Sequence, residues 1–253
     1  MTNKPRVVAV IPARYGSTRF PGKPLALIAG RPMIQWVYEA ACACPSIDLV
    51  LVATDDMRIS SVVEEFGGQA AMTSTDHQTG TDRIAEAVKG MSADLVLNLQ
   101  GDEPLLPSEV LQALIDGMIA SGAEMGTAAV PFSCTDRDPA DPNAVKVVVD
   151  ENGCALYFSR ACVPFCRDGG TAVEPLLHWG IYAYRQEFLE SFVNWPRGRL
   201  EKCEMLEQLR ALENGAKIFV VQTRQQSAGV DVPEDIEHVE RILKNRRETN
   251  SGC

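Results

Sequence analysis

The fold is decided by one stretch near the start of the chain, Val7-Val8-Ala9-Val10-Ile11-Pro12-Ala13-Arg14-Tyr15-Gly16-Ser17-Thr18-Arg19-Phe20-Pro21-Gly22-Lys23-Pro24. Its first five residues are apolar and mostly β-branched without polar alternation, which predicts a parallel strand covered on both faces. The residues that follow are polar and contain two glycines, which predicts a loop at the carboxyl end of that strand.

Two later runs, Leu49–Ala53 and Leu95–Leu99, have the same apolar character. Between the first and second strands, Pro32 and a periodic apolar pattern predict a helix, and Ile59–Phe66 predicts the next helix. This βαβαβ order predicts an α/β fold with a doubly wound, mostly parallel, Rossmann-like sheet. Ligands of such a sheet bind beyond the carboxyl ends of the strands.

The second half of the chain has a different pattern. Ala144–Val149 and Cys154–Ser159 flank a turn and predict an inserted hairpin, and His178–Tyr184 predicts another strand. Leu200–Leu212 predicts one helix, and Pro233 to about Lys244 predicts a last one. We therefore expect one α/β domain over residues 1–246, with a nucleotide half at 1–130, a sugar-acid and dimerisation half at 131–229, a closing helix at 230–246 and a flexible tail at 247–253.

Composition limits the classes of function. A formal net charge of −10 repels nucleic acid, so we expect no nucleic-acid partner. No apolar run approaches the ~18 residues of a membrane span and the first residues lack a signal's apolar core, so a cytoplasmic protein without membrane contact is predicted. The eight cysteines are expected to be free thiols, because neither Cys42-x-Cys44 nor Cys162-x₃-Cys166 has zinc-site spacing.

The loop after the first strand has the composition of a phosphate site. Its glycines let backbone N–H groups approach an anion, and Arg14, Arg19 and an exposed Lys23 supply positive charge. It is not a Walker A loop, since Gly16 and Gly22 are separated by five residues and Pro24 replaces the Ser or Thr that would hold Mg²⁺. Metal ligands must therefore come from elsewhere.

Two aspartates are candidate Mg²⁺ ligands, because Mg²⁺ takes one or two carboxylates together with substrate phosphates. Asp102 follows the third predicted strand, where the alternative is a plain turn. Asp231 precedes Pro233, where the alternative is a helix cap.

The segment Met72–Arg83 offers many small donors before a helix, as the recognition of a base edge or a ribose requires. His77 and His178 are expected to serve as hydrogen-bonding residues, and neither is given a proton-transfer role.

Taken together, a series of motifs closely resembles the 3-deoxy-manno-octulosonate cytidylyltransferases, also called CMP-Kdo synthetases. The resemblance covers nearly the whole chain and rests on Ile11–Arg14, Ser17–Arg19, Pro21–Leu25, Ala53–Asp55, Gly80–Arg83, Asn98–Pro104, Pro142–Lys146, Ala155–Arg160, His178–Tyr182, Glu204–Arg210 and Val230–Asp235. The family often has Ala at the position of Gly16 and Thr at that of Val232, and neither departure removes a charged group.

The resemblance implies site residues of three kinds. The nucleotide group is Ala13, Arg14, Ser17, Arg19, Lys23, Thr79, Gly80, Thr81 and Arg83, of which Arg14, Arg19 and Lys23 act in catalysis. The sugar-acid group is Gln100, Arg160, His178, Tyr182, Glu207 and Gln208, and the Mg²⁺ ligands are Asp102 and Asp231. Family members are homodimers that supply an activated sugar for lipopolysaccharide, which implies a Gram-negative source.

The reaction expected from the resemblance joins CTP to 3-deoxy-D-manno-octulosonate (Kdo), with attack of the anomeric hydroxyl on the α-phosphorus and release of pyrophosphate. Alternatives are an 8-amino Kdo analogue or another 2-keto sugar acid as acceptor, a sugar 1-phosphate nucleotidyltransferase, or a CTP-binding module without turnover. Few additional cations in the second half argue against an acceptor phosphate.

Overall fold

The computed structural model describes residues 4–16, 20–167, 173–225 and 227–250, with side chains described up to residue 245 in the last helix. The strands are β1 Val7–Ala13, β2 Leu27–Ile28, β3 Arg31–Pro32, β4 Leu49–Thr54, β5 Ala70–Met72, β6 Leu95–Asn98, β7 Met125–Pro131, β8 Lys146–Val149, β9 Ala155–Ser159, β10 Leu176–Arg185 and β11 Ile218–Gln222. The helices are α1 Met33–Cys42, α2 Met57–Glu65, α3 Gly80–Ala87, α4 Ser108–Ser121, α5 Gln186–Asn194, α6 Arg199–Glu204, α7 Leu209–Glu213 and α8 Asp235–Asn250. The chain forms two compact units: unit 1 comprises 1–6, 93–97 and 109–226, and unit 2 comprises 7–92, 98–108 and 227–253.

Unit 2 contains two of the three parallel strands predicted from the sequence, while Leu95–Leu97 of the third, β6, belong to unit 1. β1 pairs with β4 and β4 with β5, all in parallel, and α1 and α2 form the two crossovers. β1 is buried along nearly its whole length, which explains why its sequence shows no polar alternation. The prediction of βα units around buried parallel strands is confirmed here.

Unit 1 mixes parallel and antiparallel pairing. β7 pairs with β11 in parallel and with β10 antiparallel, while β8 pairs with both β10 and β9. The predicted hairpin is formed by β8 and β9. Its turn is closed by the Asp150 carboxylate, which accepts hydrogen bonds from the backbone N–H groups of Asn152 and Cys154, each at 2.8 Å.

The single helix predicted over Leu200–Leu212 is wrong. α6 ends at Glu204. The next residue, Met205, adopts a left-handed conformation with φ 53°, and α7 begins four residues after it. The guanidinium of Arg160 stabilises the break, because its Nε donates to the Glu204 carbonyl at 2.7 Å and its Nη2 reaches the Met205 carbonyl at 3.5 Å. A side chain distant in the sequence thus satisfies carbonyls that a continuous helix would bond internally.

Two other differences concern β5 and the last helix. β5 is only three residues long, too short for a periodic pattern, and was not predicted. The last helix starts at Asp235, two residues after the predicted start, and continues to Asn250 because no glycine or proline interrupts it.

α8 belongs to the core of unit 2. Val239 and Leu243 pack with Ile28, Met33 and Leu105 in one buried cluster that also contains Val230. The backbone N–H of Val230 donates to the Asp102 carbonyl at 2.9 Å. The segment before α8 is therefore held against the loop that follows β6, and this determines where Asp231 lies.

Among the described residues, no helix has the length and apolarity that crossing a bilayer requires.

Candidate functional site

A cavity of about 310 Å³ opens in unit 2 beyond the carboxyl ends of its strands. It is lined by Pro12, Ala13, Arg14, Lys23, Pro24, His77, Gln78, Thr79, Gly80, Arg83, Gln100, Gly101, Asp102 and Asp231. Eight of these were named from the sequence as nucleotide or metal residues: Ala13, Arg14, Lys23, Thr79, Gly80, Arg83, Asp102 and Asp231. The structure thus brings most of the predicted nucleotide group to one place.

Lys23 is the centre of the cavity's charge. Its Nζ lies 2.6 Å from Asp102 Oδ2 and 3.7 Å from Asp231 Oδ1. Only 13% of the Lys23 side chain is exposed, so the expectation of an exposed loop lysine is wrong, because the two carboxylates draw the ammonium inward. Two carboxylates that converge on one cation form an oxygen-rich place suited to Mg²⁺ with substrate phosphates.

Asp235, the first residue of α8, holds the segment that contains Asp231. Its carboxylate accepts hydrogen bonds from the backbone N–H groups of Asp231 and Val232 at 2.7 and 3.0 Å. The side chain of Asp231 remains directed to Lys23.

Arg83 is held in place by two partners within unit 2. Its side chain is 6% exposed, and it donates to Asp55 Oδ2 at 2.8 Å and to the hydroxyl of Thr73. Because Asp55 and Thr73 follow β4 and β5, both strand ends fix this guanidinium at the wall of the cavity. The sequence did not identify Asp55 as the anchor of Arg83.

The amino end of α3 also faces the cavity. Thr79 caps the helix, with its hydroxyl accepting from Asp82 N at 3.1 Å and its own N–H donating to the Asp82 carboxylate. The buried Thr81, 3% exposed, does not line the cavity, unlike Thr79 and Gly80. The amino end of a helix favours anions, which is the property a phosphate site needs.

Several contacts that the sequence did not indicate order the segments around the cavity. The guanidinium carbon of Arg58 stacks 3.4 Å from the ring centroid of Tyr15, and Gly22 N donates to the Tyr15 carbonyl at 2.9 Å. Gly22 has φ 72°, and a Cβ there would lie 3.1 Å from the same ring, so both the turn and the packing require glycine. Glu86 binds His77 and the backbone N–H of Ser74, which lowers the pKa of Glu86 and holds the segment before α3.

Ser17 and Arg19, the two other residues predicted to bind phosphate, lie outside the described residues. Arg14 is exposed at the cavity and has no hydrogen-bond partner within the part of the chain that is described. Within the described ranges, no group of three or more His, Cys, Asp or Glu side chains is arranged to hold a metal.

The residues predicted for the sugar acid fall in two places. Gln100 lines the cavity of unit 2. His178 and Tyr182 lie in unit 1 on β10, with ring centroids 5.5 Å apart, and Glu207 is close enough to help raise the pKa of Tyr182. Burial contributes most to that rise.

Gln208 and Arg160 differ in the hydrogen bonds that their side-chain N–H groups make. Gln208 is 3% exposed and its Nε2 has no hydrogen-bond partner among the described residues. An unpaired buried donor costs about 1–3 kcal/mol, so it is typical of a site that a ligand completes. Arg160 instead donates to the carbonyls of Pro142, Glu204 and Met205, and the structure therefore gives its guanidinium a framework role.

Comparisons with known proteins agree with this arrangement. The family model described as "Cytidylyltransferase" matches residues 8–218. The 3-deoxy-manno-octulosonate cytidylyltransferase of Trichlorobacter lovleyi is 47% identical over 250 residues, covering 94% of this chain and 99% of that protein. The protein of the same name from Aliivibrio fischeri is 52% identical over 244 residues, covering 92% and 97%.

Solved structures give the same result. A CMP:2-keto-3-deoxy-manno-octonic acid synthetase complexed with CTP superposes with a TM-score of 0.90 at 41% identity, covering 95% of this chain and 99% of that one. A 4-diphosphocytidyl-2C-methyl-D-erythritol synthase from Anaerococcus prevotii shares the fold at 15% identity, with a TM-score of 0.62 and coverage of 96% and 100%. The fold class is that of the nucleotidyltransferases, as predicted. Within it, the chain belongs to the cytidylyltransferase family and, there, to the 3-deoxy-manno-octulosonate cytidylyltransferases.

The titration of His178 predicts a pH dependence of stability. Burial lowers the pKa of His178 to about 3, so the ring is neutral in the folded protein while the unfolded chain binds a proton near pH 6.5. The neutral ring therefore contributes its full share of the free energy of unfolding above pH 6.5, and this share is lost as the pH falls below 6.5. Between pH 7.5 and 5.0 this loss amounts to about 2 kcal/mol of unfolding free energy at 1.4 kcal/mol per pH unit.

Denaturant unfolding at several pH values measures this effect. Between pH 7.5 and 5.0, the unfolding free energy of His178→Gln should fall by about 2 kcal/mol less than that of the wild type, since Gln does not titrate. His238→Gln, at an exposed position on α8, is the matched control and should keep the wild-type pH dependence. Equal slopes for His178→Gln and the wild type would contradict the assignment.

Proposed function

We propose that this protein is a Mg²⁺-dependent enzyme that transfers CMP from CTP to Kdo and releases pyrophosphate. The observation that carries the proposal is the convergence of Lys23, Asp102 and Asp231 in a cavity bordered by Arg14, Arg83 and the amino end of α3. The names of the relatives indicate the nucleotide and the sugar acid, and no structural observation favours another acceptor.

The cavity suits the triphosphate of a nucleotide. Arg14 and Lys23 bring positive charge to the phosphates. The first backbone N–H groups of α3 add hydrogen-bond donors whose orientation is already fixed before the reaction begins. Arg83, immobilised by Asp55, holds the nucleoside side of the ligand. The hydrogen bond from Gly22 N to the Tyr15 carbonyl joins two described parts of the loop beside the cavity.

Asp102 and Asp231 would hold Mg²⁺. When bound, the ion offsets negative charge on the phosphate oxygens. Lys23 contacts both carboxylates and would move its ammonium to the phosphate oxygens when the metal takes its place, so the same three side chains serve the free and the loaded site.

Residues of unit 1 would bind the sugar acid. His178 is a neutral hydrogen-bonding group, Tyr182 keeps its phenol protonated because burial raises its pKa, and Gln208 offers an unpaired amide. These groups suit a polyol better than a phosphate. Bond formation then requires only that the anomeric hydroxyl be positioned in line with the departing pyrophosphate.

We also propose that the protein works in the cytoplasm, where its product supplies lipopolysaccharide synthesis. Of the eight cysteines, the seven that the structure describes are free thiols, which suits a reducing compartment. Localisation of a tagged chain by cell fractionation tests this, and a periplasmic product would refute it.

Turnover should depend on Lys23. Lys23→Met keeps the length of the side chain and should lower kcat/KM by about 10²–10³-fold, the effect of removing one donor that stabilises developing charge. The unfolding free energy should change by no more than about 1–2 kcal/mol, because the ion pair is only partly buried. Pyrophosphate release with Kdo, its 8-amino analogue, a sialic acid and no acceptor measures the first quantity.

Lys89→Met is the control for Lys23, since Lys89 is exposed and does not line the cavity. Normal turnover by a folded Lys23→Met variant would exclude Lys23 from catalysis. Wild-type protein that releases no pyrophosphate with any acceptor would overturn the proposed reaction.

The metal response should depend on Asp102. Asp102→Asn removes one of two charged ligands, so the Mg²⁺ concentration for half-maximal turnover should rise by at least tenfold. Asp116→Asn, on the exposed surface of α4, should leave the Mg²⁺ titration unchanged. A wild-type Mg²⁺ curve for Asp102→Asn would show that the ligand assignment is wrong.

A homodimer is supported by apolar side chains exposed on unit 1. Leu156, Phe165 and Met205 are 61%, 86% and 70% exposed, and burying them between two copies of the chain would remove apolar surface from water. Phe165→Ser combined with Leu156→Ser should shift the mass measured by sedimentation equilibrium from dimer to monomer. Met57→Ser, 65% exposed on α2, should not, and a monomeric wild type would refute the dimer.

A further inference from the structure

β10 contains an irregularity exactly where two predicted sugar-acid residues lie. Trp179 pairs with Ala128 and Tyr182 pairs with Thr127, so β10 accommodates Gly180 and Ile181 between two successive pairs. His178 and Tyr182 are four residues apart in sequence, yet they oppose residues of β7 that are only two apart. The bulge therefore brings both rings side by side on one face, with centroids 5.5 Å apart.

Thr127 lies at this bulge and is fully buried. Its Oγ1 is 2.7 Å from the Ile181 carbonyl, 3.1 Å from the Trp179 carbonyl and 3.0 Å from Nε2 of His178. A hydroxyl has one proton to donate and two lone pairs with which to accept. Two carbonyl oxygens can only accept, so the hydroxyl proton goes to them, and the shorter contact identifies Ile181 as its acceptor.

The direction of this hydrogen bond decides the tautomer of His178. Because the Thr127 proton is committed to a carbonyl, Nε2 must carry a hydrogen and donate it to Oγ1. The ring is neutral, so Nδ1 then has a lone pair and no proton. Nδ1 has no hydrogen-bond partner among the described residues and is not among the fully buried polar atoms.

We propose that Thr127 is a positioning residue that holds His178 as the Nε2–H tautomer, so that Nδ1 accepts a hydrogen bond from a hydroxyl of the sugar acid. The identity of the ligand rests on the function proposed above. The tautomer rests on the contacts of Thr127 and on the neutral charge of the ring, and not on the proposed function. The lone pair on Nδ1 attracts a hydroxyl hydrogen and repels a carboxylate. His178 therefore binds the hydroxyl groups of the ligand rather than its carboxylate.

Thr127→Val tests the role of the hydroxyl, because valine keeps the branched shape and removes only the polar group. The KM for Kdo should rise by about tenfold or more, as expected when a hydrogen-bonding group loses its orientation, while the KM for CTP stays within about twofold. Thr127→Ser retains the hydroxyl and should restore a near wild-type KM for Kdo.

The tautomer is measured directly by ¹⁵N NMR of histidine-labelled protein. The chain has three histidines, and comparison with His178→Gln assigns the signal of interest. The wild-type spectrum at neutral pH should show Nε2 protonated and Nδ1 unprotonated, and Thr127→Ser should keep this pattern. Thr127→Val should lose it to a mixture of tautomers.

Three results would overturn the proposal: an Nδ1–H tautomer in the wild type, the same loss of tautomer in Thr127→Ser, or a folded Thr127→Val with wild-type KM for Kdo. If Thr127→Val does not fold, the spectra of the wild type and Thr127→Ser decide. Absence of Kdo turnover by the wild type refutes the proposed reaction instead, and the NMR result still tests the Thr127–His178 contact.

Discussion

The contact on which the site depends is the one between the Lys23 ammonium and the carboxylates of Asp102 and Asp231. It joins three segments that are far apart in the sequence: the loop after β1, the loop after β6 and the approach to α8. Without the ammonium, the repulsion between the two carboxylates would not be offset, and it would disfavour the approach of the segments that carry them. The buried cluster under α8 and the bond from Val230 to Asp102 hold the same segments from the apolar side.

A second constraint is that two polar side chains of the cavity are positioned by groups that do not line it. Arg83 has Asp55 and Thr73, and His77 has Glu86. Each partner sits at the end of a strand or on a helix, where the backbone is rigid. A site whose charges are already oriented in this way loses little entropy when a polyanion arrives.

Much of this could be predicted from the sequence because the relevant signals are local. Buried parallel strands read as uninterrupted apolar runs, and the polar residues that follow them, such as Lys23 and Asp102, were placed at one edge of a sheet by topology alone. The part that could not be predicted depends on long-range contacts. No sequence signal near Leu200–Leu212 predicts that Arg160 will bond the carbonyls of Glu204 and Met205 and so divide the helix. No signal near Thr127 predicts the bulge in β10.

The position of α8 has a consequence for the order in which the protein is made. Asp102 is synthesised 79 residues after Lys23, and Asp231 follows later still, in the segment that α8 anchors. A nascent chain can therefore bury its parallel strands long before both acidic side chains are present. During translation the lysine therefore has at most one of these two carboxylate neighbours until the segment that contains Asp231 has left the ribosome.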